Sequence, residues 1–166
     1  MKKGIARLLS VVMAFGLLGG CGETSSNEKN VSTASIVQSI HDQIDMKRTE
    51  PVNSDESYEM FYLSDDMVEE ATIEKGVINT GIETIAVVKA KKDKVEDVKN
   101  ALEKVKEDKM ANAFYPGEKE AVQNAEIEAK GDYVGLFIIP DDEAELENAG
   151  ESNSEKAADI FEKALE

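Results

Sequence analysis

The chain of 166 residues holds one cysteine, one histidine, three prolines and no tryptophan, and only 5% of its residues are aromatic. One cysteine excludes an intramolecular disulfide. With so few aromatics the core must rest on Val, Ile, Leu and Ala, with a few Phe and Tyr. Basic residues are also the minority. There are 19 Lys and Arg against 35 Asp and Glu, a formal charge of −16. Such a surface repels phosphate backbones and anionic lipid headgroups, which argues against nucleic-acid binding and against adsorption to membranes by charge. It favours solubility, and it tolerates divalent cations or basic partners. No HExxH, no phosphate-binding glycine loop and no GxSxG occurs, and the eleven glycines are scattered. No cofactor is indicated by any motif. Hydrophobic residues at 41% suffice for one modest core, and the length fits one domain with short extensions.

What is present begins at the N-terminus. Lys2, Lys3 and Arg7 precede an uncharged apolar stretch from Leu8 to Leu18, followed by small residues. This is the layout of a secretory signal peptide, and it is too short to span a bilayer. "LGGC", Leu18 to Cys21, resembles the lipobox of bacterial lipoproteins. The resemblance implies that the Cys21 thiol receives a diacylglyceryl group and that residues 1–20 are removed, leaving Cys21 as the first residue. A thiolate suits this chemistry as a strong nucleophile near neutral pH, and two acyl chains make a stable anchor where one is marginal. Cleavage removes three basic residues and no acid, so 16 basic residues face 35 acids in what remains. Residues 21–32 are polar and read as the lipidated cysteine and a tether. The eleven residues after Cys21 reach at most ~35–40 Å.

Residues 33–166 read as one α+β domain. Ile36, Val37, Ile40 and Ile44 have helical spacing, with Thr33 or Ser35 as the cap. Pro51 and Asn53 to Ser57 break that helix. Tyr58 to Leu63 is an edge strand or a packing segment, and Ser64 opens a capped helical turn. Ala71–Ile78 and Ile82–Ala90 read as strands joined by the turn Asn79 to Gly81. The clearest amphipathic helix follows, with Val95, Val98, Leu102 and Val105 on one face and Asp93 as its cap. Pro116 and Gly117 precede a short helix. Ala125–Lys130 and Tyr133–Pro140 form a second hairpin around Gly131 and Asp132, and the latter run, apolar on both faces, reads as a central strand. Ser152 and Glu155 have capping-box spacing for a last helix whose apolar face is Ala157, Ile160, Phe161, Ala164 and Leu165. The order predicts a mainly antiparallel sheet of about four strands, in two hairpins, with amphipathic helices packed on it.

"FYLSDDMVEEATI", "IETIAVVKAKKDKVEDVKNALEKV" and "AFYPGEKEAVQNAEIEAKGDYVGLFIIPDD" occur in that order. Together with the lipobox they resemble the domain of unknown function 4358 family of bacterial lipoproteins, over Ile36 to Phe161. The motifs that carry the resemblance are Glu83 opening the "IAVVK" strand, the helix after it, the "YPGE" break and the "GDYV" hairpin. The resemblance implies fold unity and an extracytoplasmic address, and it brings no activity, cofactor or catalytic residue.

The candidates for chemistry are few. His41 lies just off the first helix's apolar face and reads as a rim histidine. Asp65 with Asp66, and Asp141, Asp142 and Glu143, could hold Ca²⁺, but neither cluster has EF-hand spacing, and both sit where helices begin and acids favour the dipole. Glu83 starts an apolar strand, where a partly buried carboxylate needs a partner. Tyr58, Phe61, Tyr62, Phe114, Tyr115 and Tyr133 line a groove or fill the core. The sequence therefore reads as a non-catalytic domain anchored through Cys21 at the extracytoplasmic face of the cell membrane, binding an envelope protein or small ligand. The alternatives are a carboxylate-based envelope hydrolase and a purely structural envelope component. No catalytic or metal residue is assigned.

Overall fold

A computed structural model describes residues 30–77, 81–141 and 150–166. Its centre is two strands buried along their whole length, β3 (Thr84–Ala90) and β5 (Tyr133–Ile138). Continuous β-branched and aliphatic runs need cover on both faces of a sheet, and both are covered. Ala86, Val88, Val134, Leu136 and Ile138 point to one side, where they meet Val98, Leu102 and Val105 of α3 (Val95–Asn112) and Val122 of α4 (Pro116–Gln123). Ile85, Val87, Tyr133 and Phe137 point to the other. There they meet Ile36, Val37 and Ile40 of α1 (Thr33–His41) and Phe161 of α5 (Asn153–Ala164).

Among the described residues one antiparallel sheet of five strands forms, in the order β1-β2-β3-β5-β4. β2 (Val68–Gly76) and β4 (Glu126–Lys130) are the outer partners of the two hairpins. The fifth strand is β1 (Thr49–Pro51), which pairs Thr49 with Gly76 and Pro51 with Glu74. It corrects the expectation of about four strands. Three residues ending in proline carry no alternation to read, and proline is tolerated there because β1 is an edge. Tyr58 to Leu63 is not a strand. α2 (Ser54–Met60) contains its first residues, and Phe61 and Leu63 insert into the core. Ser64 to Met67 make one turn, closed by Met67 N–H to Ser64 O at 2.9 Å, after which β2 starts at Val68.

Two helix starts also differ from expectation. Ser32 caps α1, its hydroxyl accepting the Ser35 N–H at 3.2 Å. Thr33 turns inward, giving both its N–H and its hydroxyl to Glu70 at 2.8 Å. α3 is not capped by Asp93, which sits at φ 63°; Lys94 holds the cap position without a side-chain bond. The last helix starts as expected, with Ser152 N–H to Glu155 at 2.8 Å and Glu155 N–H to Ser152 at 3.1 Å. Gly131, at φ 62°, makes the tight β4–β5 turn. Asn79 and Thr80 of the β2–β3 turn lie outside the described residues; Gly81, at φ 65°, lies within them.

Asn30 and Val31 are bound to the sheet. The Lys89 ammonium donates to Asn30 Oδ1 at 3.1 Å and to Glu69 at 2.7 Å, and the Tyr133 hydroxyl donates to Val31 O at 2.7 Å. The chain therefore enters the domain at the Lys89 end of β3. Cys21 and the residues read as a signal peptide lie outside the described residues.

Candidate functional site

At the opposite end of β3, a cleft of about 480 Å³ opens between the β2–β3 connection and the C-terminal half of α3. Its floor is apolar, from Phe61, Ile82 and Val105, and its walls carry Lys75, Asp108, Lys109 and Glu118. The antiparallel pairing places it here. β2 ends at Gly76 and β3 begins at Thr84, and Gly76 N–H to Glu83 O at 2.9 Å closes the connection. α3 runs back along the sheet from Val95, so its last turns arrive at the same end.

Glu83, singled out in the sequence, is 4% exposed. Its carboxylate lies against Gly76, where an added Cβ would come within 2.3 Å of Oε2. A larger residue there would have to displace the Glu83 carboxylate. Lys109 was not singled out, yet it is the unusual residue of the cleft. It is half-buried, and its ammonium donates to Gly81 O at 3.3 Å and Ile82 O at 3.5 Å, its only hydrogen-bond acceptors among the described residues. Loss of hydration pushes its pKa below the usual lysine range. The Glu83 charge opposes that shift, and the Lys75 charge adds to it. A readable signal existed, because Val98, Leu102, Val105 and Lys109 continue one stripe at helical spacing, so a cation falls where an aliphatic side chain belongs.

The other acids of the walls are engaged. The Tyr62 hydroxyl donates to Asp108, and Glu118 Oε2 accepts the N–H groups of Phe114 at 2.9 Å and Tyr115 at 3.1 Å. Pro116 at the first helical position and Glu118 in the first turn start α4 here. Tyr62 itself is left-handed at φ 56°, a conformation costly for a residue with a Cβ. The buried neighbours Phe61 and Leu63 and the bond to Asp108 hold it there.

The exposed large hydrophobics among the described residues are Met60, Tyr62, Val77, Phe114 and Tyr115. Met60 and Val77 line the cleft, the Tyr62 hydroxyl is bonded to its Asp108, and the backbone N–H groups of Phe114 and Tyr115 are bonded to its Glu118. Phe114 and Tyr115 are 79% and 65% exposed. The six aromatics grouped in the sequence are thus separated. Phe61 is core beneath the cleft and Tyr133 is core on the other face of the sheet, while Tyr58 is partly buried.

The remaining candidates serve the fold. His41 Nε2 meets Glu74 Oε2 at 2.8 Å, and the same oxygen accepts the Thr49 hydroxyl at 2.6 Å. Glu74 lies between the ring and the hydroxyl, so the histidine ties α1 to β1 and β2. Asp66 is held below the usual carboxylate range, first by the Ser64 hydroxyl and then by its own backbone N–H and by Lys94 and Lys91. Asp141 accepts the Asn153 N–H at 2.6 Å and so fixes the start of α5. Asp142 and Glu143 lie outside the described residues. Among the described residues no three acidic, histidine or cysteine side chains gather as metal ligands, and no helix is long and apolar enough to cross a membrane.

A family model described as domain of unknown function (DUF4358) matches residues 42–139. No curated protein and no solved structure matches the chain. The matched segment contains all five strands and every residue lining the cleft, while α1 and the C-terminal α5 lie outside it. The chain belongs to the domain of unknown function 4358 family.

Proposed function

We propose that the protein is a lipoprotein anchored through Cys21 at the extracytoplasmic face of the cell membrane, whose domain binds a ligand or partner in the cleft and catalyses no reaction. The observation that carries the binding reading is that two exposed large hydrophobics, Met60 and Val77, line one cleft, and a third, Tyr62, is bonded to its Asp108. Exposed apolar side chains are common singly, but their concentration beside a cavity marks a place where another molecule covers them. Asp108 holding Tyr62 and Glu118 starting α4 favour binding over carboxylate catalysis, since each already has a structural bond. The lipobox and the charged, apolar and small segments before it support the anchor.

Membrane fractionation of the wild type and Cys21→Ala tests the anchor. The wild type is expected in the membrane fraction and the variant in the soluble fraction. Retention of the variant in the membrane contradicts the anchor.

A further inference from the structure

We propose that the cleft takes a ligand ending in a single carboxylate, held between the Lys109 and Lys75 ammonium groups, with its apolar body on Phe61, Ile82 and Val105. This rests on the reading of the cleft as a binding site and adds the chemistry of its occupant.

Lys109 has three N–H donors and, among the described residues, two acceptors, both at the long edge of hydrogen-bond range. Burial without close acceptors leaves its charge under-compensated, and its lowered proton affinity has the same cause. Lys75 lines the same wall; its nearest acid is the exposed Glu50 at 3.8 Å, a contact of little strength. An anion between the two lysines meets charge-assisted donors in a site partly shielded from water. The charge of that anion is limited. Asp108 and Glu118 line the cleft, the Glu83 charge acts on Lys109, and the whole chain carries −16, so a phosphate dianion is repelled where a carboxylate is accommodated. The apolar floor requires the rest of the ligand to be apolar. A small organic acid and the C-terminal end of a peptide share this chemistry.

The test is calorimetric titration of the full chain in lipid nanodiscs, with empty nanodiscs as the blank. The probes are N-acetyl-Leu-Phe, its C-terminal amide, 4-phenylbutyrate and inorganic phosphate. One or both acids are expected to bind at least ~10-fold more tightly than the amide, because charged hydrogen bonds separate them. The tighter acid identifies the source. Lys109→Met is expected to weaken acid binding at least ~10-fold and leave the amide unchanged, while Lys109→Arg retains acid binding. The arginine variant, with thermal melts of both variants, separates a lost contact from a lost fold. Equal binding of acid and amide, unchanged acid binding by a folded Lys109→Met, or phosphate competing as well as the acids overturns the carboxylate assignment and leaves the cleft a binding site. Binding of none of the probes, with the wild type folded, overturns both.

Discussion

Lys109 occupies the place on α3 where the apolar stripe asks for another aliphatic side chain, and its surroundings set a clear sign for its effect on stability. Burial lowers the ammonium pKa in the folded state. Between that value and the unfolded one, ~10.4, the unfolded chain binds more protons, so stability rises with pH through this window; below it the cost is fully present. Lys109→Met is therefore expected to melt no lower than wild type near neutral pH, and at most ~4 °C higher, with this alkaline rise abolished. Lys89 has the opposite sign. Its bond to Glu69 raises its pKa, against the opposing effect of burial. The stability it adds is present below the unfolded lysine value and lost as pH rises through the raised folded value. Lys89→Met is expected to cost about 1 kcal/mol in denaturant unfolding at pH 7, from the lost bonds to Glu69 and Asn30. Only part of the cleft was legible in the sequence. Glu83 stood out because an acid opened an apolar strand; the α3 stripe marked Lys109 only as a cation in an aliphatic place, since its partners come from a turn some 27 residues away.

At the scale of elements, β5 shows how tightly the two faces are filled. Phe137 folds its ring over Gly135 and packs at 5.7 Å on Phe161 of α5. A Cβ at Gly135 would approach the Phe137 ring to 2.5 Å. Gly135→Ala is expected to destabilise by about 1–3 kcal/mol in equilibrium unfolding, as overpacking of a rigid core does. Ser152→Ala removes the hydroxyl half of the α5 capping box and is expected to cost about 0.5–2 kcal/mol by the same measurement. These elements were readable from the sequence because their signals are local: unbroken aliphatic runs for β3 and β5, a 3–4 stripe for α3, and paired Ser and Glu for α5. β1 was not readable, because three residues ending in Pro51 become a strand only through pairing with β2. Likewise Thr33 resembled a cap and became a tertiary contact, because Glu70 and Thr72 on β2 offered its hydroxyl better partners.

The whole molecule has two distinct ends. The chain enters at Asn30 beside Lys89, and the cleft opens at Glu83, seven residues of β3 and roughly 20 Å away. In the proposed anchored state the tether and the cleft therefore lie at opposite ends of the sheet. The −16 charge makes the compact state repel itself. Raising ionic strength from 10 to 150 mM shortens the Debye length from ~30 to ~8 Å and is expected to raise the melting temperature by about 2–4 °C. The central claim, that a half-buried cation in the cleft receives a carboxylate, is tested most directly by NMR of the Lys109 side chain in the full chain, titrated with pH with and without N-acetyl-Leu-Phe and 4-phenylbutyrate. The predicted result is a Lys109 pKa below that of the surface lysines, moving upward when one of the acids binds. Titration of Lys109 with the surface lysines, unmoved by either acid, would contradict it.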